Sequence, residues 1–198
     1  FESAYGMLCM KLAFAFQDYQ FLLDDDAISD DDKGIFKRIL GRTASMDETK
    51  SCFLLLTRML EIHFKKSAVV ILDEYDVPIA KASSNGYYSQ MLDVMRAMMS
   101  TTLKDNTSLD FAVITGCLKI AKESIFTGLN NFKVYSITNT EFDETFGFTD
   151  EEVKTILHDY EMDDRYDEVK EWYDGYRFGK ADVYCPCLLY TSDAADEL

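Results

Sequence analysis

Two adjacent carboxylates, Asp73 and Glu74, stand directly after the apolar run Ala68-Val69-Val70-Ile71-Leu72. An apolar strand that fixes two acids at its tip is the pattern known as Walker B. In that chemistry Asp73 holds Mg²⁺ through water, and Glu74 orients or polarises an attacking water. A second apolar run, Leu109-Asp110-Phe111-Ala112-Val113-Ile114, is followed by Thr115. Ligands of open α/β sheets bind beyond the carboxyl ends of the strands. A threonine there stands where a side chain can sense a terminal phosphate. Each feature has a plainer reading: acids that solvate a strand tip, and a threonine that satisfies its own turn.

A phosphate-binding loop is not in the sequence. Such a loop requires G-x-x-x-x-G-K-[ST], so that backbone amides and a lysine surround the phosphates. The only Gly-Lys pair, Gly179-Lys180, is followed by Ala181 and has Asp174 at the first glycine position.

The elements that must position these residues follow from periodicity. Residues 1–19 are apolar at helical spacing. Ser29 caps a short helix carrying Ile35, Phe36, Ile39 and Leu40, with Gly41 past its end. Ser45 and Glu48 form a capping box that opens one longer helix through Leu54, Leu55, Met59, Leu60 and Phe64. The β-branched run 68–72 lacks alternation, which predicts a parallel strand covered on both faces. Pro78 prevents its extension. Residues 87–103 return to helical spacing, with Met91, Met95, Met98 and Met99 as core residues. The run 109–114 is a second buried strand, and 132–137 is a weaker third candidate. Thr149 and Glu152 make another capping box ahead of Val153, Ile156 and Leu157. A last helix lies near 166–173, with Gly175 as its cap. Strands separated by helices predict an α/β fold with a largely parallel sheet.

Composition narrows the function classes. A hydrophobic fraction of 47% and an aromatic fraction of 14% in 198 residues exclude a disordered or collagen-like chain. A net charge of −16 argues against a broad nucleic-acid surface, which draws its affinity from clustered Lys and Arg. The five cysteines, Cys9, Cys52, Cys117, Cys185 and Cys187, lack metal-ligand spacing and read as free thiols in a reducing cytoplasm. No apolar run is long enough to cross a bilayer. His63 and His158 have no partners at ligand spacing. Glu152-Val153-Lys154 and Glu168-Val169-Lys170 match E-x-K, which nucleases use on a strand. Both lie in helical patterns and read as surface charge.

The ends are unusual. The chain opens inside an apolar helical pattern without an initiating Met. Residues 187–198, back-translated, reproduce a transposase adapter of DNA library preparation. The expected organisation is therefore an internal fragment: a helical part over 1–66, the acid-bearing strands over 67–140 and a helical C-terminal part over 141–186. The tail 187–198 is expected to be an adapter translation and no domain.

Four blocks then point to a family. Leu72-Asp73-Glu74-Tyr75-Asp76-Val77-Pro78-Ile79 resembles the Walker B segment of the bacterial AAA-ATPase-like family, which reads L-I-D-E-Y-D-x-P-I. Thr115-Gly116 with Lys119, Lys122 and Ser124-Ile125-Phe126-Thr127-Gly128-Leu129-Asn130-Asn131 resembles its T-G-x-x-K-x-x-K-x-S-I-F-S-G-L-N-N block. Phe146-Gly147-Phe148-Thr149 with Glu151-Glu152 resembles a later block. So does Trp172-Tyr173-Asp174-Gly175-Tyr176-Arg177-Phe178 with Val183-Tyr184-Cys185-Pro186. The resemblance is carried from 68 to 186 and is faint before that.

It implies a P-loop NTPase-type parallel sheet flanked by helices, here partial because the phosphate-loop strand is missing. It implies ATP and Mg²⁺ as ligands and a covalently linked PD-(D/E)xK nuclease-like domain as the partner in the parent. Asp73 and Glu74 carry over as the metal and water residues, and Thr115 as a sensor. Arg177 is a candidate to face a phosphate, against the favoured reading of 172–176 as a packed helix end. The expected function is that of an ATPase domain fragment, inactive by itself for want of the loop. The alternative is a regulatory module that binds nucleotide or partners without turnover.

Overall fold

The computed structural model describes residues 1–116, 126, 133–173 and 175–184. The chain divides into two compact units, Phe1–Asn131 and Phe132–Leu198. The expectations for Lys119, Lys122, Cys117, Cys185, Cys187 and the tail 187–198 fall outside the described residues.

The first unit begins with α1 (Glu2–Gln17) and α2 (Asp30–Leu40). Ser29 caps α2 by accepting from the Asp32 amide at 3.2 Å. This satisfies one of the donors that a helix start leaves open. Phe16 of α1 meets Phe36 of α2 with ring centroids 4.9 Å apart, and both are fully buried. The capping box at Ser45 forms as expected, but the helix it opens is not continuous. It splits at Ser51 into α3 (Met46–Lys50) and α4 (Cys52–Phe64). The Ser51 hydroxyl donates to the Asp47 carbonyl at 2.9 Å, and the Ser51 backbone leaves the helical region at φ −106° and ψ 10°. A serine that bonds back to the preceding turn competes with helix propagation.

Strand β1 (Ala68–Leu72) runs into a tight turn and then α5 (Val77–Ser84), with Pro78 in its first turn. Pro78 thus begins a helix, where its missing N–H costs nothing. Helix α6 (Tyr88–Leu103) follows and buries Met91, Met95, Met98 and Met99. Strand β2 (Leu109–Ile114) then pairs with β1 in parallel.

Helix α4 packs on β1 and α6 packs on β2 and on α4, so these helices line one face of the pair. Leu72 and Ile114 join the main core, which is built from α1, α2, α4, α5 and α6. The expectation that the apolar run 68–72 is covered on both faces is not met. Val69 and Ile71 are exposed, as are Phe111 and Val113 on β2. The described sheet in this unit has two strands only.

The second unit holds two helices, α7 (Asp150–Asp159) and α8 (Tyr166–Tyr173), with three short strands. These are β3 (Phe148–Thr149), β4 (Tyr176–Phe178) and β5 (Ala181–Tyr184), antiparallel in the order β3-β5-β4. The third strand expected at 132–137 is absent among the described residues 133–137. The amide and hydroxyl of Ser136 instead donate to the Asn139 side-chain oxygen at 2.8 and 3.1 Å, which folds that stretch into a turn. Thr149 and Glu152 form the expected capping box. The carboxylate of Asp150 accepts from the Tyr166 hydroxyl and, at 2.9 Å, from the Tyr184 hydroxyl, joining α7, α8 and β5. Both E-x-K pairs lie on helices. Glu152 serves its cap and Glu168 pairs with Arg165 at 2.5 Å.

Candidate active site

The parallel register sets Leu72 opposite Ile114, so Asp73 and Thr115 leave neighbouring strands at the same edge. Two backbone bonds continue the ladder past the strands. The Thr115 amide donates to the Leu72 carbonyl at 2.9 Å, and the Tyr75 amide donates to the Thr115 carbonyl at 3.1 Å. The Thr115 hydroxyl donates to Oδ1 of Asp73. Residues 42 positions apart are thereby joined at one point. A hydrogen bond to an ionised acceptor is stronger than a neutral one, so Thr115 fixes the direction of the Asp73 carboxylate.

Glu74 is exposed beside it and adopts a left-handed backbone at φ 53°. For a residue with a Cβ this conformation costs about 1 kcal/mol. It is held by bonds on either side: the Val77 amide donates to the Glu74 carbonyl at 3.1 Å, and the Tyr75 amide is engaged by Thr115. Strain of this kind concentrates at functional sites. Tyr75 packs against the core. The Tyr75 ring meets Phe126 at 5.2 Å. Burial, and then the neighbouring Asp76 carboxylate, hold its phenol above the ordinary value.

Gly116 has a role that strand and motif reasoning did not assign. A Cβ at Gly116 would lie 2.6 Å from Cε1 of Tyr75 and 2.7 Å from Oδ1 of Asp76. Asp76 is itself buried at the start of α5. Only glycine lets the chain leaving β2 approach the Asp73–Asp76 turn this closely. A glycine directly after a strand was the available signal.

The donors that meet here are hard oxygens. They suit Mg²⁺, which keeps several waters and takes few protein ligands beside substrate phosphates. Among the described residues no group of three or more His, Cys, Asp or Glu could hold a metal by itself.

The structure brings together Asp73, Glu74 and Thr115, three of the four residues singled out from the sequence. Arg177 stands in the second unit, on β4, opposite Asp182 on β5. Its guanidinium lies 3.7 Å from the Asp182 carboxylate, with both side chains about two-thirds exposed at 68% and 67%. Such a pair contributes little to stability. The reading of 172–176 as a packed helix end holds in part: Tyr173 packs on the second core, whereas Trp172 is exposed. Gly179-Lys180 is the tight turn of the β4–β5 hairpin. Its amides are taken by the Ile137 carbonyl at 2.7 Å and the Asp143 carboxylate at 3.0 Å. Amides engaged in this way are not available to a phosphate.

Of the cysteines, Cys52 is buried and Cys9 is partly buried, both as free thiols. Burial pushes the Cys52 thiol up to about 12, so it stays protonated and unreactive. No helix among the described residues is long and apolar enough to cross a membrane.

Comparison with known proteins locates these features. The pattern of a family described as predicted AAA-ATPase matches residues 16–126. The match runs from the last two residues of α1 through β2, including most of the helical half where the motif resemblance was faint, and it ends before the two later blocks. A protein of Azotobacter chroococcum mcd 1, described as an uncharacterized protein in the vnfD 5' region, is 28% identical over 153 residues. The aligned part is 77% of this chain and 30% of that relative, so the chain spans about a third of the relative's length. No solved structure matches the chain.

Proposed function

Since the chain belongs to the predicted AAA-ATPase family, we propose that the β1–β2 edge is the metal and water side of an ATP-hydrolysing site. The observation that carries this reading is the hydrogen bond from Thr115 to Asp73 at the shared strand edge, beside an exposed Glu74. Asp73 would hold Mg²⁺, usually through water, and the ion would supply charge to offset that of the phosphates. Thr115 keeps the Asp73 carboxylate aimed and stands within reach of a terminal phosphate. Glu74 accepts a hydrogen bond from the attacking water and takes on its proton. The phosphate loop is supplied by another part of the whole protein, and the present chain alone does not turn ATP over. Arg177 is retained as a candidate phosphate contact of the second unit.

The test uses the whole protein that carries this segment together with a phosphate loop. Glu74→Gln keeps shape and leaves Asp73 in place, so nucleotide affinity is retained while turnover falls by about 10²–10⁴. Asp73→Asn weakens Mg²⁺-dependent nucleotide binding as well. Turnover unchanged in Glu74→Gln would assign the water to another residue, or the domain to binding without hydrolysis.

A further inference from the structure

Helix α5 ends on an Asn-Gly pair whose two residues are both exposed. Asn85 caps the helix at φ −115° and ψ 9°, and Gly86 follows in the left-handed region at φ 76°. The Tyr87 amide donates back to the Ala82 carbonyl at 3.1 Å, the bond that closes a helix end around a left-handed glycine. The Asn85 side-chain nitrogen donates to the Lys81 carbonyl at 2.7 Å. Among the described residues no hydrogen bond engages the Gly86 amide or the Asn85 side-chain oxygen. A Cβ at Gly86 would meet nothing within 4 Å, so no neighbour crowds the Gly86 nitrogen from that side.

We propose that Asn85 is a modification site, converted to aspartate and isoaspartate through a cyclic imide that the Gly86 nitrogen closes. Base removes the Gly86 amide proton, and the nitrogen attacks Cγ of Asn85. A C–N bond forms in the ring, the C–N bond to the side-chain nitrogen breaks, and that nitrogen leaves as ammonia. Water then opens the imide at either carbonyl. Attack at Cγ leaves aspartate, and attack at the main-chain carbonyl leaves isoaspartate, with the chain running through the former side chain. One water is consumed, one ammonia is released, and nothing is oxidised or reduced.

The other asparagines among the described residues are poor competitors. Asn106 engages its side-chain nitrogen with the Thr57 hydroxyl and the Thr102 carbonyl, and its oxygen with the Ser108 amide. Asn139 accepts from the Ser136 amide and hydroxyl. Thr107 and Thr140 follow them, and two heavy atoms on Cβ crowd the attacking nitrogen, whereas glycine has no side chain to do so. At Asn85 the reaction needs only loss of the Lys81 bond and a rotation about ψ. The conversion acts on α5. Both products lack the donor that satisfies the Lys81 carbonyl. Isoaspartate also lengthens the main chain between Ala82 and Tyr87, whose hydrogen bond closes the helix. The helix loosened in this way is the one that starts at the buried Asp76.

The experiment incubates the 198-residue chain at mildly alkaline pH and follows each asparagine by peptide-resolved mass spectrometry. Isoaspartate is read by methyl transfer from S-adenosylmethionine with an isoaspartate methyltransferase. Both products are expected at position 85, forming faster as pH rises and about tenfold or more ahead of any change at Asn106 or Asn139. Gly86→Ala should slow the conversion by a similar factor. Should that variant fail to fold, Asn85→Gln serves: it keeps an amide at the helix end and cannot close the five-membered ring. It should stay unmodified and keep its melting temperature through the incubation, while that of the unsubstituted chain falls. Conversion of Asn106 or Asn139 as fast as that of Asn85 would overturn the proposal. So would an Asn85 that stays intact while the urea-unfolded chain converts, because the fold would then protect the pair. Aspartate formed without isoaspartate would overturn the imide route in favour of direct amide hydrolysis.

Discussion

At the scale of single residues, the site rests on a turn that leaves no room for substitution at one position. Gly116 has no side chain, and the Tyr75 ring and the Asp76 carboxylate occupy the space where one would be. Gly116→Ala therefore forces the ring off Phe126 or moves the backbone that carries the Thr115 carbonyl, at a cost of about 1–3 kcal/mol. A urea midpoint measured for the variant checks this. Tyr75→Ala in the same chain removes the ring contact, so the double variant should lose less than the sum of the two single losses. Strictly additive losses would mean that Gly116 and Tyr75 do not compete for the space. The place of Asp73 and Glu74 at the end of β1 is legible in the sequence because a carboxylate pair after an apolar run is a local pattern. The bond between Thr115 and Asp73 was not local. It exists because the parallel register aligns Leu72 with Ile114, and no spacing between positions 73 and 115 announces a register.

Elements whose signals are local and chemical formed where the sequence placed them. The caps at Ser29, Ser45 and Thr149 each depend on a side chain reaching an amide three residues on, a geometry that holds in any context. Elements that depend on distant partners or on competing local bonds were misread. The expected strand at 132–137 yields to the turn of Ser136 and Asn139, and the helix after Ser45 breaks where Ser51 bonds back to Asp47. Strands β3, β4 and β5 hold two to four residues each, too few for alternation to register. The cap at Ser45 carries a prediction at this scale. Two bonds from the Arg38 guanidinium, and then the Ser45 amide, hold the Glu48 carboxyl at about 2, below its ordinary 4.5. A carboxylate depressed on folding stabilises fully above its unfolded value, and the contribution fades as pH falls through the folded one. The melting temperatures of the chain and its Glu48→Gln variant should differ at pH 7 and converge between about pH 4.5 and 2. A difference that persists at pH 2 would assign the effect of Glu48 to packing.

Across the whole molecule, charge and composition decide what the chain can bind alone. A net charge of −16 repels a polyanion, and the acids at the β1–β2 edge attract metal and not phosphate. Phosphates are held by backbone amides at a helix start and by Lys or Arg. The one Gly-Lys pair of the sequence spends its amides inside the second unit, on Ile137 and on Asp143. The family match over 16–126 takes in the β1–β2 edge, and the function proposed above draws its triphosphate affinity from another part of the whole protein. Titration calorimetry of the 198-residue chain with ATP should show no micromolar binding, with or without Mg²⁺. Mg²⁺ alone should perturb the amide signals of Asp73, Glu74 and Thr115 at millimolar concentration, because a carboxylate with few protein partners binds this ion weakly. Micromolar affinity for Mg-ATP would reveal a phosphate site built from residues other than a glycine-rich loop. Arg177 would then be the first position to replace, since it is the candidate cation whose described partner, Asp182, holds it at only 3.7 Å on an exposed strand.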